Sequence, residues 1–125
     1  KKELLESLFQ IAKPEAILVL FDYTTQEEES QLVDLAGKPI YPMQLDKIQQ
    51  DLNCIGWNVL EVIDLSFQFV QWYEKLLGKL EREQEELLRT FSSQDIEKVR
   101  STFVSILSQI EGKKMGGCVI YAQKP

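Results

Sequence analysis

The run Ala16-Ile17-Leu18-Val19-Leu20-Phe21 constrains this chain more than any other stretch. It is continuously apolar and rich in branched side chains, so it has no polar side to turn to water, and it is far too short to cross a bilayer. A strand of this kind has to be covered on both faces, which is the habit of parallel strands in α/β sheets. A second apolar run, Trp57 to Ile63, carries Val59, Leu60, Val62 and Ile63. Between the two, Leu45, Ile48, Leu52 and Ile55 share one face of a helix that Pro42 opens and Gly56 closes. The order strand, helix, strand implies a right-handed crossover and two parallel strands.

The remaining elements follow from spacing. Leu4, Leu5, Leu8, Ile11 and Ala12 predict an amphipathic helix ending ahead of Pro14. Asp22 to Ser30 and Gly37-Lys38-Pro39 read as a long loop. Asp64 or Ser66 can cap a long helix whose stripe is Phe69, Tyr73, Leu76, Leu80, Leu87 and Phe91, opposite a solvated face with Lys75, Lys79, Arg82, Glu85 and Glu86. A further helix from about Gln94 to Glu111 carries Ile96, Val99, Phe103, Ile106 and Ile110 and stops at Gly112, and the two helices are expected to pack antiparallel. Cys118-Val119-Ile120-Tyr121-Ala122 then forms a last strand. Residues 1–125 are expected to form a single domain around one core.

Charge and composition exclude several functions. A net charge of −6 repels phosphate backbones and anionic headgroups, so neither nucleic acid nor a membrane surface is an expected partner. Lys1 and Lys2 lead into an amphipathic pattern interrupted by Glu3 and Glu6 rather than an apolar signal core, and the chain reads as cytoplasmic. Cys54 and Cys118 lack a second cysteine or histidine at ligand spacing and read as reduced thiols, with no metal site. The chain contains no histidine, which removes the commonest general base. None of its glycines follows the Ala16–Phe21 strand in the way a cofactor-binding turn requires, and there is no P-loop, zinc spacing or nucleophile elbow. By motif it is not an independent enzyme.

Several segments nevertheless resemble one family in order and spacing. Ala12-Lys13-Pro14-Glu15-Ala16 before the first strand is similar to the Leu-Lys-Pro-Gly-Gly turn of class I S-adenosylmethionine-dependent methyltransferases, with Glu15 and Ala16 in place of the glycines. Asn53-Cys54-Ile55-Gly56-Trp57-Asn58-Val59 resembles that family's passage from helix to sixth strand. Met115-Gly116-Gly117-Cys118-Val119-Ile120-Tyr121-Ala122-Gln123-Lys124-Pro125 resembles the last strand of the sarcosine and dimethylglycine methyltransferase subgroup, as do Asp64-Leu65-Ser66 and Trp72-Tyr73 ahead of the helical pair.

The resemblance implies the C-terminal half of a partial Rossmann-like methyltransferase fold: a three-stranded mixed sheet with flanking helices and a two-helix lid insertion over about 64–112. The terminal strand would lie antiparallel between the other two. S-adenosylmethionine is then the cofactor of a longer parent, and none is expected in this chain, which lacks the glycine-rich loop and acidic residue that hold it. The partner of the parent is a small-molecule methyl acceptor, and the chain itself is expected to form a homodimer through an open strand edge or through Leu4, Leu5, Leu8 and Ile11.

The acceptor pocket of such a sheet lies outside the carboxyl ends of its parallel strands. That points to Asp22, Tyr23, Tyr41, Met43 and Trp72 as substrate-binding residues, acting by positioning and, for Trp72, through a ring face on a methylammonium group. Asp22 is also an ordinary residue at the start of a turn, and a Trp on the flank of a helix is ordinary packing. Three functions compete: an inert segment that completes the sheet and forms the substrate lid, a stand-alone binding or dimerisation module, and a small-molecule binding protein built on the aromatic cluster.

Overall fold

The last strand of the chain is the centre of its sheet. In the computed structural model, which describes residues 1–25, 38 and 41–125, β4 (Met115–Gln123) pairs antiparallel with β1 (Ile17–Thr25) on one side and with β3 (Asn58–Asp64) on the other. β1 and β3 therefore run parallel, as expected. A two-residue strand, β2 (Met43–Gln44), joins the outer side of β1 at Thr24 and Thr25, so the order is β2-β1-β4-β3. The expected three strands become four because a strand of that length leaves no period in the sequence.

Pairing also lengthens the predicted strands. Asp22, expected to open a loop, stays in β1, and Thr25 still pairs with Met115. The remainder of the predicted loop, over 26–37 and 39–40, lies outside the described residues. Gly116 and Gly117, expected ahead of the last strand, belong to it.

Side chains alternate between the two sides of each strand. On one side, Leu18 and Leu20 of β1, Cys118, Ile120 and Ala122 of β4, and Val59 and Val62 of β3 meet two helices, α1 (Lys2–Ile11) and α2 (Leu45–Ile55). Leu5, Leu52 and Ile120 are fully buried there, each worth about 1.5–3 kcal/mol of transfer free energy. Gly56 caps α2 with φ 121, a left-handed conformation that a side chain resists, and its N–H bonds the Leu52 carbonyl at 3.1 Å. Pro42 does not open α2, because β2 intervenes and Gln44 is the N-cap. Trp57 lies just ahead of β3 and is buried, donating from Nε1 to the Leu5 carbonyl at 3.2 Å and meeting Phe9 edge to face.

Two of the recognised motifs acquire physical content here. Glu15 stands at φ 70, so the turn makes the left-handed demand that glycine meets in the resembled motif, although this chain places a glutamate there. Lys124 donates to the carbonyls of Phe9 at 2.6 Å and Ala12 at 2.9 Å and lies 4.5 Å from the Phe9 ring centre. A cation at these free carbonyls complements the C-terminal end of the helix dipole.

The other side of the sheet is covered by the helices between β3 and β4: α3 (Ser66–Arg82), α4 (Gln84–Leu87) and α5 (Ser93–Glu111). The single stripe predicted to Phe91 breaks at Glu83, and Phe91 ends half exposed, without the burial that would draw the helix onward. Tyr73 packs on Phe103 while Gln84 bonds Arg100, so the partners run in opposite order and α3 and α5 are antiparallel. Ser92 caps α5 by accepting from the Asp95 N–H at 3.1 Å. Gly112 does cap the other end, but Lys113, at φ 60, is the left-handed residue of that turn. Phe69, Tyr73, Ile106, Ile110 and Met115 form the core of this layer. It covers the Tyr23 end of β1 and leaves Ile17, Val19 and Phe21 mostly exposed.

Candidate functional site

A cleft of about 520 Å³ opens at the carboxyl ends of β1 and β3. Thr24 and Thr25 from β1, Asp64 from β3, Ser66 from α3, and Gly116 and Gly117 from β4 supply its polar surface. Phe67, Val70, Ile110 and Met115 supply an apolar wall, and Lys113 and Lys114 stand in the turn ahead of β4. This is where an open α/β sheet places a ligand.

The cleft depends on close approach at the two glycines of β4. A Cβ on Gly117 would lie 2.5 Å from Phe69 Cζ, and one on Gly116 would run into the Ser66 hydroxyl. Ser66 accepts from the Gly117 N–H at 3.2 Å, donates to Asp64 Oδ1 at 2.6 Å, and its own N–H bonds the same oxygen at 3.0 Å. The start of α3 is thereby tied to bare β4 backbone, which sets the lip of the cleft.

The five residues expected from the sequence divide between the two faces of β1. Asp22 takes the Lys1 ammonium at 2.6 Å on the α1 side, with the exposed Tyr41, whose carbonyl also accepts from Lys1, near the same amine. Met43 is buried in the core of that side. Tyr23 faces the other way, its hydroxyl hydrogen-bonded to that of Tyr73 and its ring against Phe69. Trp72 is half exposed and leans on Tyr73, whose burial confirms which of the pair holds the core stripe. None of the five lines the cleft, yet Asp22, Tyr23 and Met43 are the strand partners of Cys118, Gly117 and Thr24, which do. Thr24, Asp64 and Ser66 were missed as site residues. Thr24 lay within the predicted loop, and Asp64 and Ser66 already had a sufficient role as helix caps.

Two groups near the site are held protonated. Burial first, then the hydrogen bond and charge of Tyr23, pushes the Tyr73 phenol above its ordinary range. Cys118 has Asp22 and Asp64 as its strand partners on either side. Burial raises its thiol, the two carboxylates raise it further, and Lys1 opposes them.

The space a Cβ would take at Gly56, Gly116 and Gly117 is filled by Phe9, Ser66 and Phe69 respectively, so these glycines admit a neighbouring side chain of this chain on their Cα–H side. Among the described residues there is no cluster of ionisable ligands for a metal, and no helix is long and apolar enough to cross a membrane.

No protein-family model and no curated protein sequence matches the chain. Solved structures do. A Haemonchus contortus phosphoethanolamine N-methyltransferase 2 in complex with S-adenosyl-L-methionine superposes with a TM-score of 0.85 at 18% identity, over 100% of this chain and 30% of that one. A cyclopropane synthase from Mycobacterium tuberculosis gives 0.81 at 11% identity, over 98% and 49%. A Galdieria sulphuraria protein described as a sarcosine dimethylglycine methyltransferase gives 0.77 at 11% identity, over 98% and 47%. The chain thus spans less than half of each of these proteins, and it has the fold of one portion of a methyltransferase structure.

Proposed function

We propose that this chain is the sheet-completing and substrate-lid portion of an S-adenosylmethionine-dependent methyltransferase acting on a small molecule, the C-terminal half of that fold, and inert by itself. The reading is carried by the unequal finish of the sheet. One side is sealed by α1 and α2, whereas on the other side Ile17 and Val19 are left half exposed, and the outer edge of β1 from Ile17 to Tyr23 has no partner strand among the described residues. An apolar parallel strand left in that state calls for further layers, and this chain covers only 30% and 49% of the two first matched structures.

In the parent protein the donor supplies an electrophilic methyl group. These residues would hold the acceptor at the carboxyl ends of β1 and β3, with α3 to α5 excluding water. Asp22, Tyr23, Tyr41, Met43 and Trp72 remain proposed for the acceptor side, the first two and Met43 one strand away from the cleft wall. A cytoplasmic location belongs to the same proposal.

Calorimetry with S-adenosylmethionine tests it. The full-length protein should bind with micromolar affinity and this chain should not; binding by the chain alone, or by neither, would overturn the reading. In the full-length protein Trp72→Ala should raise the acceptor KM and leave donor affinity unchanged. A second reading, a stand-alone module that dimerises, draws on the same open edge, since an antiparallel pairing of two β1 strands is self-complementary.

A further inference from the structure

The two long helices are anchored to the sheet at the end where they leave and rejoin it. Ser66 bonds the Gly117 N–H at 3.2 Å, Phe69 meets the rings of Phe21 and Tyr23 at 5.7 and 5.5 Å between centres, and Tyr73 bonds the Tyr23 hydroxyl. The core of this layer draws Phe69, Tyr73 and Leu76 from α3 and Phe103, Ile106 and Ile110 from α5. Beyond it the packing thins. From Glu74 to Ser105, Ile96 is the only buried side chain. α3 ends at Arg82, and the short α4 starts without a side-chain cap. A bond of 3.3 Å from Arg100 to Gln84 ties α5 to α4 there.

Where the packing thins, each long helix carries a weak point. Gly78 lies inside α3, and outside the backbone of its own helix a Cβ built there would meet Arg82 Nη1, at 3.4 Å, the far end of a flexible side chain. Packing within the chain therefore leaves room for alanine, yet the position is glycine, which weakens a helix interior about fivefold in equilibrium constant relative to alanine. On α5, the Thr102 hydroxyl donates back to the Lys98 carbonyl at 2.9 Å, a bond that slightly destabilises helices and often bends them. Gly78 lies between Tyr73 and Gln84, and Thr102 lies between their partners Phe103 and Arg100. The two weak points thus stand on facing turns of an antiparallel pair, where one bend passes through both helices.

We propose that the helical pair hinges at Gly78 and Thr102: the inner half stays fixed on the sheet, and the outer half, from Lys79 through α4 to Ser101, swings as a flap. The inference rests on the proposed function in reading the pair as a lid, and it names the part of the lid that moves. Ser66 and Phe69 stay seated on β4, so the lip of the cleft keeps its shape while the flap opens. Glu86 stands beyond the hinge by about 12 Å at helical rise, and a kink of about 20° displaces it by about 4 Å.

The test is pulsed electron spin resonance on this chain, diluted with unlabelled chain. The exposed Cys54 on α2 takes one spin label and the buried Cys118 takes none. Glu86→Cys places the second label on the flap, or Glu74→Cys places it on the inner half. Distances from Cys54 to position 86 should spread about twice as widely as those to position 74, or more. Gly78→Ala combined with Thr102→Val, which keeps the shape and drops the hydroxyl, should narrow the outer spread to that of the inner half. Lys75→Ala, which favours the helix without touching the hinge, should leave the outer spread unchanged. An outer spread no wider than the inner one, a spread that survives the double substitution, or equal narrowing by Lys75→Ala would overturn the proposal. Neither donor nor acceptor enters the measurement. A rigid pair would therefore overturn the hinge alone, whereas a full-length protein that binds no S-adenosylmethionine would overturn the methyltransferase reading alone.

Discussion

On the α1 and α2 side of the sheet, Cys118, Ile120 and Ala122 are at most 2% exposed, whereas on the opposite side Ile17, Val19 and Phe21 are 52%, 52% and 65% exposed. Both sets are apolar, and the two faces of β1 hardly differ in composition: Leu18 and Leu20 on one, Ile17, Val19 and Phe21 on the other. What differs is the supply of helices. Two amphipathic helices reach the first face along its length, and the second is reached only at its Tyr23 end, where Phe69 fits against Gly117. The apolar content of a strand therefore states what must be covered, and says nothing about whether the same stretch of chain covers it.

The sharpest way to break this contrast is to truncate one residue on each face. Ile120→Ala should cost about 2–5 kcal/mol, because a fully buried side chain leaves a cavity behind it. Val19→Ala should cost under about 1 kcal/mol, since half of that side chain already meets water. Urea unfolding of the two variants measures both, and equal losses would mean that the second face is covered in solution.

Such covering is the next expectation. The isolated chain should form a dimer through the β1 edge and its exposed stripe, and Val19→Lys should raise the dimer dissociation constant by about tenfold or more, by placing like charges at the centre of the contact. Sedimentation velocity of the wild type and of the variant decides it; a wild-type monomer at high concentration would count against the dimer.

The smallest effect belongs to the covered end of the second face. Tyr73→Phe removes the bond to the Tyr23 hydroxyl at a cost of about 1 kcal/mol near neutral pH. The Tyr73 phenol is raised in the folded chain, so its contribution is complete below the ordinary tyrosine value near 10 and is lost as pH climbs above it. The wild type should lose stability above about pH 10 more steeply than the variant, as equilibrium unfolding against pH would show. Identical slopes would place the alkaline loss elsewhere.

Much of this architecture is legible in the residues. The helical stripes of α1, α2 and α5, the cap at Gly56, the parallel relation of β1 and β3 and the placing of Tyr73 over Trp72 all follow from period and from local caps. The site was less legible. Asp22 and Tyr23 differ by one position and so face opposite sides of β1, a consequence of strand pairing persisting to Thr25 and Met115. Thr24 and Ser66 converge on Gly116 only because α3 is seated against β4, half the chain away in sequence.

The sequence by itself determined that α1, α2, α5, β1, β3 and β4 form and that β1 needs cover on both sides. These are consequences of local periodicity and of the cost of wetting apolar surface. The tertiary structure alone decided the reach of the β1 and β4 pairing, the burial of Met43, the role of Lys124 at the end of α1, and the gathering of Thr24, Asp64, Ser66 and Lys114 around one cleft. Each of those joins residues far apart in the chain, and the register that brings them together is fixed only when the whole sheet is paired.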